Sequence, residues 1–373
     1  MAAQPIRVLH VITWMDAGGA QAHVLDLLRT DDPELDIAVA SGSNRGDPGP
    51  LEAEFASAGS LYRLQHLRRE LSVRDIAAIL EIRSLIRRLQ PDVVHTHSSK
   101  AGVLGRLATI GLPVKTVHNV HGWSFSPMKG LGRRAVVLLE QVLARLTDVL
   151  VTVSHADAEA ARANRIRPRR GIEMIRSGIE LSVFRAAARS EARTQSSSPI
   201  LGTVGRVATQ KDPMAALEVL AGVRRVVPDA QFHWIGDGPL RRQVEVRARE
   251  LGLESSFKVL GHVNDVASQL SSLDVFLLCS RWEGLPRGLV EAMACEVPVV
   301  AASVDGVPDV VVEGVTGHLV PPGDTHGLTR AVVDSVQNPA DARKMAQAAL
   351  GRLDEFSVEE TRRRTGQLYR SLV

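Results

Sequence analysis

Two glutamates stand eight positions apart in SRWEGLPRGLVEAMA (280–294), Glu283 before and Glu291 after a Pro-Arg-Gly turn. Pro286 and Gly288 mark the entry to a helix, so the backbone N–H groups near Leu289 and Val290 are expected to be unpaired. Those donors, with the helix dipole, can hold a phosphate. A carboxylate on either side of it could then accept hydrogen bonds from hydroxyl groups of two different sugars. Taken singly, Glu291 reads as an exposed helical residue and Glu283 as a cap. Upstream, GTVGRVATQKD (202–212) ends an apolar run with Arg206, and Lys211 follows five residues later. Two fixed cations at a strand end suit a diphosphate that gains negative charge as it leaves. Asp212 and Pro213 suit the cap and first turn of the next helix. Near the N-terminus, DAGGAQ puts Gly18 and Gly19 between a strand and a helix, where a ligand can approach the backbone closely. The spacing is not G-x-G-x-x-G, so the dinucleotide fingerprint is missing.

The histidines and cysteines divide differently. His95 and His97, in HTH, could suggest a metal, but no acidic or Cys/His set completes four ligands. The expectation is no metal, with His97 lining a polar site. His118, on an apolar strand, reads as a satisfied core histidine, whereas His121 lies farther out, toward the ligand side. Trp123 and Phe125, after the VHG turn, fit an acceptor site and core packing equally. Cys279 and Cys295 form no disulfide framework and read as small buried residues.

The elements that must position these residues are short Val/Ile-rich runs alternating with segments of helical period. Strands are expected at 6–12, 35–40, 92–95, 114–118 and 149–153, with helices at 20–28, 71–89, 101–108 and 134–146. The pattern restarts with strands at 200–204, 231–235, 257–259, 275–278 and 297–301 and helices at 213–226, 240–251, 265–270 and 288–295. Continuous apolar strands separated by helices mean parallel sheets covered on both faces. The fold class is therefore α/β, two doubly wound Rossmann-like domains with an intervening cleft, and ligands are expected outside the strand carboxyl ends. ARSEARTQSSS has little to bury and reads as a linker, 186–198. It separates a first domain, 1–185, from a second, 199–355, and leaves a C-terminal helix, 356–373, that could pack back on the first.

Composition excludes other classes. Among 373 residues, 45 Lys+Arg against 42 Asp+Glu leave +3, and aromatics are 3%, too balanced and too poor in stacking groups for a dedicated nucleic-acid binder. The most apolar stretch, 136–153, is interrupted by Glu140, Arg145 and Asp148, and the N-terminus does not read as a signal peptide. A cytoplasmic protein is expected. Residues 1–185 carry 24 basic and 19 acidic side chains, clustered at Arg63/Arg68/Arg69, Arg83/Arg87/Arg88, Arg133/Arg134 and Arg165–Arg170. These read as solvated helix faces, or as attraction to the inner face of a membrane.

The 280–294 segment resembles the E-x7-E signature of retaining glycosyltransferases of the GT-B fold, as in glycosyltransferase family 4. PVVAASVDGVPDVV and EGVTGHLVPPGD follow at family-like spacing, VGRVATQKD is similar to the family's phosphate loop, and WIGDGPLRRQV to its next strand and turn. In the first half, VLHVITWMDAGGAQAHVLDLL, PDVVHTHSSKAGVLGRLA, VHGWSFSP and LVTVSHADAEAA resemble the remaining landmarks, so the likeness runs from about residue 6 to 324. The resemblance implies that Glu291 binds the donor ribose and Glu283 the transferred sugar. Arg206 and Lys211 would neutralise the diphosphate, helped by backbone amides at Gly18/Gly19 and Leu289/Val290. His121 would sit near sugar and acceptor, and 261–266, with Val263, near the base. Three positions depart from the pattern: Glu296 stands where glycine is usual, so a different backbone is expected there; Asp309 replaces Glu; Gln21 stands where Glu is common.

The implied function is transfer of a hexose or N-acetylhexosamine from a UDP- or GDP-linked donor to a hydroxyl acceptor, a lipid-linked or cell-surface glycan precursor, without cofactor. Alternatives are glycosylation of a small natural product, a GT-B nucleotide-sugar epimerase, and a non-catalytic nucleotide-sugar-binding protein.

Overall fold

The computed structural model describes residues 4–44, 46–47, 49–190 and 198–373. The chain forms two compact units, residues 1–177 with 358–373, and residues 178–357.

The first unit is built on a seven-stranded sheet: β1 (Ile6–Ile12), β2 (Leu35–Ser43), β3 (Ser60–Arg68), β4 (Val93–His97), β5 (Lys115–Val120), β6 (Val149–Thr152) and β7 (Gly171–Met174). The order is β3-β2-β1-β4-β5-β6-β7, every pair parallel. The inner strands are Val/Ile-rich because helices cover both faces, and β4 is buried along its whole length. Two strands of this sheet escaped the periodicity, as did β13 (His318–Val320) of the other unit. β3 (SLYRLQHLR) is an edge strand with polar residues interleaved, and β7 (GIEM) is too short to register. Arg63 and Arg68 consequently lie on β3 rather than on a helix face. Under the helices, Arg106 donates to the carbonyl of Gly102 and pairs with Glu140 at 2.9 Å, so the charge interrupting the 136–153 stretch is buried but compensated.

The second unit repeats the plan with β8 (Ile200–Val204), β9 (Gln231–Ile235), β10 (Phe257–Gly261), β11 (Val275–Leu278), β12 (Val299–Ala302) and β13 (His318–Val320), in the order β10-β9-β8-β11-β12-β13, again all parallel. In both sheets the order reverses beside the first strand, between β1 and β4 and between β8 and β11. Loops on either side of such a point diverge and leave room for a ligand.

The units change over at Ser177/Gly178, earlier than composition suggested. The helix Leu181–Ser190 belongs to the second unit, packing on the helices Val266–Ser271 and Arg287–Ala294. Of the expected linker, residues 191–197 lie outside the described residues. The C-terminal helix Val358–Leu372 belongs to the first unit: Leu368, Tyr369 and Leu372 pack with Val8, Val93 and Val117. Among the described residues no helix is long and apolar enough to cross a membrane.

Candidate active site

In the second unit, the loops after β8 and β11 bring Lys211 and Glu283 into contact. Lys211 Nζ donates to Glu283 Oε1 at 2.6 Å, and Ser280 Oγ donates to the same oxygen at 2.6 Å. Gln210 Nε2 reaches the other oxygen at 3.4 Å and the Trp282 carbonyl at 3.1 Å. The Glu283 amide donates to Asp305 Oδ2 at 2.8 Å, from the turn after β12. Glu283 is only 5% exposed, so these donors replace the water its charge has lost. Asp305 keeps an exposed face, yet desolvation of its carboxyl and then the charge of Glu283 push it above the usual carboxylate range, against the pull of the Glu283 amide.

The cation side is held by backbone. Trp234 Nε1 donates to the Gly205 carbonyl at 2.8 Å. At Gly236, with φ of +137°, a Cβ would lie 2.3 Å from that same carbonyl oxygen, so only glycine allows the approach. Arg206 follows, exposed, at the mouth of the loop. Arg281 clamps Asp212 at 2.6 Å while Asp212 caps the helix Pro213–Arg224 through the Ala215 amide. Sequence reasoning missed Ser280, Gln210 and Asp305. For Asp305, the signal was the Asp-Gly turn after the strand neighbouring β11.

Glu291 is half-buried on the helix Arg287–Ala294 that follows. The expectation for Leu289 and Val290 is corrected: both amides donate to the Pro286 carbonyl, at 3.0 and 3.4 Å, because the helix begins at Arg287. The first turn of the helix therefore lies at Arg287 and Gly288. Val263 lies half-buried after β10, two strands from β8 at the sheet edge, and is not brought into contact with the Lys211–Glu283 pair. Glu296 has φ of +57°, the left-handed backbone a glycine would adopt, so this departure leaves the turn unchanged. The Glu296 amide bonds Met293 O and the Val297 amide bonds Ala292 O, both at 3.0 Å, which is a Schellman cap. Cys279 is a buried thiol, pushed up by that burial, and Cys295 is likewise buried.

In the first unit, Gly18 is the N-cap and Gly19 the first residue of the helix after β1, beside the reversal point. Gln21 Nε2 donates to the Trp14 carbonyl at 3.0 Å, which ties that turn down. His121 follows β5 and is half-buried. His97 is corrected: β4 extends through it, so it is fully buried, with Nε2 at 2.8 Å from His10 Nδ1 and Nδ1 at 3.2 Å from His121 Nε2. Trp123 and Phe125 resolve to core. Their rings stack at 4.9 Å, both are buried among Val120, Val137 and Leu150, and Trp123 Nε1 donates to the Asp157 carbonyl. His118 is buried against Thr96, through both its carbonyl and hydroxyl. Burial lowers His10 to about 3 and holds His95, His97 and His118 well below the ordinary imidazole value, so these rings are neutral. Two histidine trios, His10/His95/His97 and His23/His97/His121, have ligand atoms within 4.8 Å of one another, a grouping that sequence spacing hid because β1, the helix after it, β4 and the end of β5 supply it.

The family model described as glycosyl transferases group 1 matches residues 184–352, and that of the glycosyl transferase 4-like domain matches residues 4–178. Similar curated proteins include the Escherichia coli UDP-Gal:α-D-GlcNAc-diphosphoundecaprenol α-1,3-galactosyltransferase, 28% identical over 77% of each chain. Another is the Streptomyces fradiae 2-deoxystreptamine N-acetyl-D-glucosaminyltransferase, 30% identical over 76% of this chain and 73% of that one. Among solved structures, Anabaena HepE in complex with UDP and glucose superposes with a TM-score of 0.83 over 98% of this chain and 100% of that one, at 19% identity.

Proposed function

Because the chain belongs to the family 4 type of GT-B glycosyltransferases, we propose that it is a retaining transferase moving a hexose or N-acetylhexosamine from a UDP-sugar to a hydroxyl acceptor. The observation that carries this reading is the Lys211–Glu283 contact at the β8/β11 reversal point. Lys211 and Arg206 neutralise the diphosphate, with the first turn at Arg287 and Gly288 adding its dipole. Glu283 and Glu291 accept hydrogen bonds from hydroxyls of the transferred sugar and the ribose. As the C1–O bond breaks, the departing phosphate oxygen takes the acceptor's proton, and the acceptor oxygen bonds C1 on that same face. Glu283, committed to Lys211 and Ser280, suits a binding carboxylate better than a nucleophile. His121 lies at the sugar and acceptor. With two cations at the diphosphate, the transfer needs no metal and proceeds in chelator.

A UDP donor is supported by the UDP-Gal-dependent relative and the UDP-bound neighbour. A lipid-linked acceptor is favoured by the helix Gly130–Ala144, which exposes Leu131, Leu138 and Val142 near Arg134, a surface that suits an anionic bilayer. The alternative acceptor is a small aminocyclitol-like molecule, as for the Streptomyces relative. A panel of UDP-, GDP- and dTDP-sugars, read by thermal shift and hydrolysis, tests the donor. Product anomeric configuration by NMR tests retention. Co-sedimentation with anionic vesicles, reversed by salt, tests the membrane surface. Stabilisation by GDP-sugars alone, or inverted product, overturns the corresponding part.

A further inference from the structure

Five side chains of the first unit form one hydrogen-bonded series. His95 Nδ1 lies 2.6 Å from Tyr369 Oη, and Tyr369 Oη lies 3.2 Å from His10 Nε2. His10 Nδ1 lies 2.8 Å from His97 Nε2, and His97 Nδ1 lies 3.2 Å from His121 Nε2. Tyr369 comes from the C-terminal helix and His10 from β1, whereas His121 stands at the half-buried end.

A neutral imidazole carries one N–H and one bare nitrogen, and a phenol carries one proton. If Tyr369 donates to His10, then His10 must donate through Nδ1 to His97, and His97 through Nδ1 to His121. His95 then donates through Nδ1 to the phenol. All four rings are Nδ1–H. If Tyr369 donates instead to His95, every step reverses and all four rings are Nε2–H. A mixture would set two lone pairs or two protons against each other at one link, among rings of which all but His121 are buried.

We propose that Tyr369 and His10 are positioning residues that, through His97, fix the tautomer of His121 and so decide whether its Nδ1 presents a proton or a lone pair at the reacting centre. This rests on the placement of His121 in the proposed reaction, but the coupling itself does not. Burial supports it by keeping His10, His95 and His97 uncharged.

Two-bond ¹⁵N–¹H correlation spectra of the ¹⁵N-histidine-labelled full-length protein read the tautomers without any assay. Wild type should show His10, His95, His97 and His121 in a single shared form; any mixture among the four overturns the proposal. Tyr369→Phe keeps the ring that packs on the sheet and removes only the hydroxyl. It should break the uniformity and lower kcat by at least about tenfold with donor KM unchanged. A folded Tyr369→Phe protein with wild-type tautomers or wild-type kcat, alongside an inactive His121→Ala, overturns the relay. Wild-type activity in His121→Ala would instead remove the role of His121, leaving the spectra to judge the coupling. If Tyr369→Phe does not fold, His10→Gln supplies the same comparison at the second link.

Discussion

The ammonium of Lys211 and the carboxylate of Glu283 meet at 2.6 Å although their positions lie 72 residues apart in the chain. Each stands just past a strand end, and β8 and β11 are neighbours only because the sheet order reverses there. In the proposed reaction each would hold the other's charge in readiness before a donor enters, leaving little reorganisation for the moment of transfer.

Glu283→Gln should keep the shape of the site and lower kcat about 100- to 1,000-fold, measured with a UDP-sugar and its acceptor. Lys211→Ala should lose similar activity and also about 3–5 kcal/mol of stability, since it leaves a buried carboxylate without its cation. Pairing Lys211→Met with Glu283→Gln should restore the denaturation midpoint but not turnover. A double variant as unstable as Lys211→Ala would show that the charge pair is not what the fold requires.

Acid should destabilise the protein well before ordinary carboxylates titrate. His10, His95, His97 and His118 are held neutral in the native state by burial, with His10 lowered to about 3. Unfolded, they take up protons below about pH 6.5. The unfolded state then binds more protons, so stability is full above pH 6.5 and is lost as the pH falls toward the native values. Each ring contributes a slope approaching about 1.4 kcal/mol per pH unit. Denaturant midpoints flat from pH 7.5 to 5 would contradict this.

Glu296→Gly should raise stability by about 0.5–1 kcal/mol, because φ of +57° strains a side-chain-bearing residue and the Schellman cap needs only the backbone. Urea melts of the two proteins compare this directly.

Trp123→Ala should cost about 3–5 kcal/mol as a core truncation. Trp123→Phe, losing the bond to Asp157 and part of the ring volume, should leave acceptor KM at its wild-type value. A selective rise in acceptor KM would return Trp123 to the acceptor site.

The double-wound architecture was legible because buried parallel strands are written as continuous apolar runs, as in IRVLHVI and VLVT. β3 was not, since an edge strand carries Arg, Gln and His on its open face. Glu283 and Lys211 stood out by residue type at strand ends, but Ser280 and Asp305, which hold Glu283 in place, are ordinary loop residues until the sheet order makes them neighbours. The histidine series shows the same limit more sharply. HTH and VHG are visible motifs, while His10 and Tyr369 stand in a strand and a C-terminal helix that were both legible, but 359 positions apart and with nothing in the sequence to join them.

That helix has a consequence for synthesis. Residues 178–357 leave the ribosome before residues 358–373, so the second unit is whole while the first still lacks its closing segment. The half of the molecule made first is finished last. A chain ending early would carry an intact second unit and a first-unit sheet with Val8, Val93 and Val117 uncovered and its histidines open to protonation, a product marked for proteolysis.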